Sequence, residues 1–337
     1  MTDHQLGRDI DSFCSLFGLP LPLQIEPIRA GRNSKVYRIR NGIEQWILKK
    51  YFKSTVNQHD RLGTEFKFLV FMNQVGVIFI PEALGMNHNL QCALYSFLPG
   101  HRFSVVSESH IIQAADFIRS INQFRNNSVA VTLPVAADAC FSCLDHIDLT
   151  EKRFSRFMLV KPKSEIEKDA NEFIEKRLLP LWSSVMEKLF KENLATYLAK
   201  PLTQAERILS PSDFGFHNTL EHEGNLSFVD FEYAGWDDPA KLICDFICQP
   251  ELPITENQAR KFSDQILWNF PYAEAVIQRV DKLLMVHRLK WCCILLNEFR
   301  EEGRERRLHA GLDSEGLLET QLSKAKSYFN LHLAPIT

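Results

Sequence analysis

The stretch "LSPSDFGFHNTLEHEGNLSFVDFEYAGWDDP", Leu209 to Pro239, decides how this chain reads. It places Asp213 in a loop, Asn218 five positions later, and Asp230 at the end of the strand-like run "LSFVD". Gly224 and Asn225 mark a turn between two short apolar runs. A loop followed by such a hairpin sets the loop's end beside the end of the last strand, so all three side chains can project into one cleft. Taken singly, each residue has a plainer reading, because Asp and Asn cap helices and make turns. The elements around them shift the balance.

Upstream, "LQIEPIRA", "KVYRIR" and "EQWILKKYF" read as three strands. Asn41 and Gly42 between the last two are a tight hairpin signal. The three form an antiparallel meander. A helix follows from about Arg61 to Val75, with Leu62, Phe66, Leu69 and Val70 at helical spacing. Next comes "ALYSFLPG", Ala93 to Gly100, a buried strand ending in a Pro-Gly bend. Beyond Gly100 the pattern turns helical. Ser164 and Glu167 make a capping box ahead of a helical pattern that Pro180 should kink or split. Apolar helical patterns return over Val276 to Phe299 and Leu317 to Phe329, and residues 4 to 18 look like a short N-terminal helix. The expected fold is α+β and bilobal. Residues 1–98 form a small lobe with an antiparallel sheet and one main helix, and residues 99–337 form a larger, mostly helical lobe. The hinge lies near Phe97 to Arg102.

One chemistry wants Asp, Asn and Asp together. A carboxylate orients a hydroxyl, while an amide oxygen and a second carboxylate hold magnesium on a nucleotide's phosphates. Asp213 takes the first role, Asn218 and Asp230 the second. Lys49 and Lys50 are neighbours on a strand and face opposite sides. Lys49 is the candidate for neutralising phosphates, with Lys50 the alternative if the register differs. Glu65, early in the next helix, would position that lysine. In "AGRNSKVY", Asn33 and Ser34 can donate hydrogen bonds to phosphate, although this is no GxGxxG loop. Asp238 before Pro239 reads as a helix cap first, and Glu232 as a partner for a nearby Arg or Lys.

Bulk properties narrow the field. The chain has 337 residues, 45% of them hydrophobic, enough for a sizeable core. A net charge of −3, from 39 basic and 42 acidic residues, argues against a nucleic-acid partner. The N-terminal sequence does not read as a signal peptide, and no run approaches the roughly 18 apolar residues that span a bilayer. Eight scattered cysteines are expected as reduced thiols in a cytoplasmic protein, without a membrane partner. Cys140 and Cys143 make a lone CxxC with no second pair at zinc-ribbon spacing.

This set resembles the aminoglycoside phosphotransferase and choline kinase-like family, whose members have a protein-kinase-like fold. "PSDFGFHN" matches its catalytic loop at Asp213 and Asn218, and "VDFEYAGWDDP" its metal-binding segment at Asp230. "NSKVYRI", "WILKKY" and "TEFKFL" match the small-lobe pattern at Asn33, Lys49 and Glu65. The resemblance implies that "YSFLPG" joins the lobes and meets adenine near Ser96, Phe97 and Leu98. It also implies that Asp245 in "LICDF" braces the catalytic loop. The activity implied is transfer of the γ-phosphate of ATP, with Mg2+, to a hydroxyl of a small molecule: a sugar, an amino alcohol or an aminoglycoside-like acceptor. Pro211 and Ser212 stand where the family has His and Gly. That departure motivates a second reading, a pseudokinase that binds nucleotide or protein partners. "DFE" in place of DFG and the missing Gly-rich loop disfavour a protein kinase.

Overall fold

A computed structural model of the chain describes residues 13–19, 23–28, 34–53, 59–158, 161–310 and 316–334. Alternating residues in the first third form a five-stranded antiparallel sheet: β1 Gln24–Ile28, β2 Lys35–Asn41, β3 Glu44–Lys50, β4 Ala83–Asn87 and β5 Cys92–Ser96. Their spatial order is β1-β2-β3-β5-β4. β3 therefore has a neighbour on each side, and Lys49 pairs with Val36 and Ala93. β4 carried no clear sequence signal, because Gly85 and Asn87 break its apolar pattern.

Both expected hairpin turns sit one residue away from their sequence signals. Asn41 pairs with Glu44, so the first tip is Gly42 and Ile43. His222 pairs with Asn225, so the second tip is Glu223 and Gly224. At that second tip both residues have positive φ, 49° and 78°, as a two-residue hairpin loop requires.

The first long helix, α1, runs Arg61–Gln74 and is capped by Asp60, whose carboxylate accepts from Gly63 N. Then come α2 Glu108–Gln123, α3 Cys143–Met158, α4 Glu165–Phe173 and α5 Leu179–Glu192. Ser164 caps α4, its hydroxyl accepting from Glu167 N, while Glu167 itself turns to Lys163 N. Between α4 and α5 a π turn spans Ile174–Leu178. Pro180 sits in the first turn of α5, where a missing donor is tolerated, so the helical run is split there by the π turn as the proline led one to expect. The short strands β6 Ile208–Ser210, β7 Thr219–His222, β8 Asn225–Phe228 and β9 Gly235–Asp237 interrupt the helices. α6 Pro239–Cys248, α7 Glu256–Ile266, α8 Ala273–Leu295, α9 Glu301–His309 and α10 Leu317–His332 complete the order. Of the N-terminal helix expected over residues 4 to 18, residues 13–16 are helical, and the earlier part lies outside the described residues. No described helix is long and apolar enough to cross a membrane. All eight cysteines are free and buried.

One apolar core runs from α1 through the short strands to α6 and α7. Phe68 of α1 meets Phe231, which follows Asp230, at 5.7 Å between ring centroids. Phe117 of α2 stacks on Phe228 at 4.1 Å, and Phe246 of α6 stacks on Phe262 of α7 at 3.9 Å. Phe214 and Phe216 of the loop after β6 insert into this aromatic group. Each buried ring contributes roughly 1.5–3 kcal/mol by area alone, and stacking adds about 0.5–1.5 kcal/mol per pair. Phe117→Ala should cost about 3–5 kcal/mol, read as a fall in the denaturant midpoint. A loss under about 1 kcal/mol would show that Phe117 does not join the parts of this core.

Candidate active site

The segment "SDFGFHN" alternates outward polar and inward aromatic residues. Phe214 and Phe216 are anchored in the core. Asp213, His217 and Asn218 are thereby turned toward a cavity of about 520 Å3 that they line together with Asp230. The Asn218 amide donates from Nδ2 to the Asp213 carbonyl, 2.9 Å. That bond fixes the plane of the amide and leaves its oxygen as an acceptor on the opposite side. Asp213 Oδ1 lies 3.3 Å from His217 Nε2. Gly215 lies beneath them, where an added Cβ would fall 2.8 Å from His217 Nδ1.

Two residues past β8, Asp230 adopts φ +70°, a left-handed conformation that Asp tolerates better than most side chains. The turn aims its carboxylate back at β3. Lys49 Nζ donates to Asp230 Oδ1 at 2.6 Å and to Glu65 Oε2 at 2.7 Å, and lies 3.5 Å from Glu232 Oε2. Glu65 is held from three directions. Tyr51 Oη donates to Oε2 at 2.7 Å, and Phe231 N donates to Oε1 at 3.1 Å. β3, α1 and the segment after β8 therefore meet at one ammonium group. Burial on its own would depress Lys49, but Asp230, Glu65 and Glu232 hold its pKa well above the ordinary value.

Three carboxylates crowd this point, the oxygens of Glu65, Asp230 and Glu232 lying within 4.8 Å of one another. Burial raises the pKa of Asp230 to about 7. Lys49 pulls it down, while Glu232 and Glu65 push it up. Arg61, 3.7 Å from Glu232, supplies a second positive charge. Asp230 is the open member, with 29% of its side chain exposed beside Asn218. A carboxylate short of positive charge next to a free amide oxygen suits a hard divalent cation, which takes oxygen ligands.

The other expected site residues fall as follows. Ser34 donates its hydroxyl to Glu232 Oε2 at 3.2 Å, so it is engaged by a carboxylate instead of standing open toward phosphate. Glu232 thus has Lys49, Arg61 and Ser34 around it, as its reading as a partner for a basic residue expected. Asn33 lies outside the described residues. Ser96 ends β5, its N–H donating to Glu82 O. Phe97 follows, its ring under the Arg38 guanidinium at 4.5 Å, and Leu98 is half-buried. Lys50, the alternative to Lys49, is on the opposite face of β3.

Asp245 departs from expectation. Its hydrogen-bond and ion-pair partners among the described residues are His287, Lys290, Trp291 and Lys241. The loop of Asp213 is reached at second hand, by Lys241 Nζ donating to Ser212 Oγ at 3.5 Å. Lys241 also bridges to Asp237 at 3.0 Å. Burial alone would lower Lys241, yet Asp237 and Asp245 hold its pKa above the ordinary value. Ser212, at the family's Gly position, takes φ +67° with its N–H bonded to Ser210 Oγ at 3.0 Å. A serine therefore occupies the left-handed conformation that favours glycine.

Behind the loop runs a buried polar chain. Asp238 caps α6 through Ala240 N and accepts two bonds from Arg279, at 3.0 and 2.9 Å. Its cap reading therefore holds in the structure. Burial would raise Asp238, but His146 and Arg279 bring its pKa down to about 2. His146 Nδ1 lies 2.9 Å from His287 Nε2, and His287 Nδ1 lies 3.0 Å from Asp245 Oδ1. Burial, with Lys290 adding to it, drops the pKa of His287 to about 3. Neutral His287 donates to Asp245 and accepts from His146. Apart from the Asp238 cap, none of these pairings is readable from sequence, since the partners are 41 or more residues apart.

A sign follows. The folded state keeps His287 neutral while the unfolded chain protonates it near 6.5. The unfolded state then binds more protons below that pH, so stability falls as pH drops from about 6.5 toward 3. The slope contributed reaches about 1.4 kcal/mol per pH unit. Asp230, raised to about 7, contributes a slope of the opposite sign over the same range, so the His287 share is read as a difference: between pH 7 and pH 4.5 the wild type should lose more stability, or gain less, than His287→Asn. An equal slope in the variant would assign the decline to other groups.

Residues 24–248 match the family described as Phosphotransferase enzyme family. No curated protein matches the sequence. Among solved structures, spectinomycin phosphotransferase in complex with ADP and spectinomycin superposes with a TM-score of 0.61 at 11% identity, covering 94% of this chain and 98% of that one. The Plasmodium vivax ethanolamine kinase gives 0.57 at 10% identity, with 91% and 82% covered. A choline/ethanolamine kinase family protein from Mesorhizobium loti gives 0.55 at 17%, with 97% and 100% covered. These likenesses show a shared protein-kinase-like fold. With two thirds of its length matched by the family model, the chain belongs to the phosphotransferase enzyme family.

Proposed function

We propose that this protein transfers the γ-phosphoryl group of ATP, with Mg2+, to a hydroxyl of a small acceptor. The observation that carries this reading is the meeting of Lys49, Glu65 and Asp230 at the edge of a cavity that also holds Asp213 and Asn218. The nucleotide lobe is residues 1–98, and the acceptor lobe is residues 99–337. Adenine lies against the chain leaving β5, at Ser96 to Leu98. Lys49, positioned by Glu65, faces the phosphates. Asn218 and Asp230 hold magnesium, which offsets charge on the β- and γ-phosphates.

Asp213 accepts the acceptor's hydroxyl proton. The freed oxygen forms the new bond to the γ-phosphorus as its bond to the ADP oxygen breaks, and ADP leaves. His217, 3.3 Å away, restricts the Asp213 carboxylate to one orientation. The loop keeps this form without the family's His and Gly, because Phe214 and Phe216 anchor it and Ser212 supplies the turn. That anchoring favours an active kinase over the pseudokinase reading.

Asp213→Asn should lower turnover by about 10²- to 10⁴-fold while nucleotide binding survives. Unchanged ADP release with the best acceptor would remove Asp213 from the chemistry. Separately, ATP with Mg2+ should raise the melting temperature of the native protein, and Asp230→Ala should abolish the magnesium-dependent part of that rise. A full shift in the variant would take Asp230 out of the metal site.

A further inference from the structure

The acceptor side of the cavity is basic. Arg153 and Arg156 project from α3, Arg306 from α9, and Arg300 from the turn just before α9. Among the described residues, carboxylates offset only half of the charge on these four. Asp138 binds Arg153 at 2.5 Å, and Glu302 lies 3.5 Å from Arg300. Of the other lining glutamates, Glu298 is committed to Arg307, and Glu251 lies 3.6 Å from Lys324. Arg156 and Arg306 have no carboxylate within 4 Å among the described residues. Arg153 Nε is buried and has no hydrogen-bond partner among the described residues. The four guanidiniums also feel one another. Burial lowers the pKa of Arg300, Arg156, Arg306 and Arg153 lower it further, and Glu302 offsets part of the fall.

Like charges held together with two carboxylates short are costly unless a ligand neutralises them. Guanidinium groups match the planar or tetrahedral oxygens of carboxylate and phosphate with paired N–H donors. A cationic acceptor of the choline, ethanolamine or aminocyclitol type would meet a surplus of positive charge here. We infer that the acceptor carries an anionic group, phosphoryl or carboxylate, seated among Arg153, Arg156, Arg300 and Arg306 while its hydroxyl reaches Asp213. This specificity rests on the phosphotransferase reading above and names its substrate class. The transfer step is unchanged: the acceptor oxygen gains the γ-phosphorus, Asp213 takes the proton, and ADP leaves.

Matched acceptors test it by ADP release: glycerol 3-phosphate against glycerol, and gluconate against glucose, with choline and ethanolamine as cations. At least one anionic member should have a kcat/KM about tenfold or more above its uncharged parent. The two pairs tell phosphoryl from carboxylate. Arg156→Glu should lower that kcat/KM about 10²-fold, mostly through KM, and Arg156→Lys should retain most of it. The KM for MgATP should hold in both. Equal or better use of neutral or cationic compounds overturns the inference, as does an Arg156→Glu effect on ATP in place of the acceptor. Calorimetry with the same compounds in the presence of ADP and Mg2+ separates the two readings. Anion binding that Arg156→Glu abolishes, without any turnover, keeps the anion site and removes the kinase. Turnover of uncharged acceptors alone keeps the kinase and removes the anion site. Absence of binding by every anionic probe overturns the site.

Discussion

The Lys49 ammonium, shared by Glu65 of α1 and Asp230 after β8, is the constraint on which the rest of the site depends. It joins three pieces of chain that are far apart in sequence, with separations of 16 and 181 residues. Buried charges are tolerated when paired and hydrogen-bonded. Here Tyr51 and the Phe231 amide complete the shell around Glu65. Removing either acid partner would leave the lysine underpaired. Both acids also keep Lys49 charged at any physiological pH, which is what a phosphate-facing group requires.

Around this point the polar site is mounted on apolar packing. Phe214, Phe216, Phe228 and Phe231 alternate with Asp213, Asn218 and Asp230 along the chain, and the aromatic rings are all buried. A loop pinned at two inward positions has little freedom left for its outward ones. The positive φ at Ser212 and Asp230 marks the two bends where the backbone is forced to serve that arrangement. Such conformations persist only when the surrounding structure over-determines them.

Much of this was legible in the sequence. The meander, α1, the Asp213–Asn218 loop and the Asp230 segment each carried local signals: alternation, helical spacing and turn residues. The β3 alternation narrowed the choice to Lys49 or Lys50, and the register decided it. Hairpin tips slipped by one residue because Asn, Gly and Glu all accept the turn, and cross-strand pairing chose among them. Asp245 read as a direct brace for the loop, yet Lys241, His287, Lys290 and Trp291 claimed it. The arginines of the cavity wall carry no local signal, because acids and bases alternate along residues 298–307. Their charges cancel along the chain, but in space Glu298 and Glu167 are taken by Arg307 and Arg304, which leaves the wall basic.

By itself the sequence determined which residue types were available for phosphoryl-transfer chemistry and which elements would carry them, because those signals are local and periodic. Tertiary structure alone decided which charge meets which. Electrostatic partnership depends on distance through space and on burial, and neither is encoded in spacing along the chain.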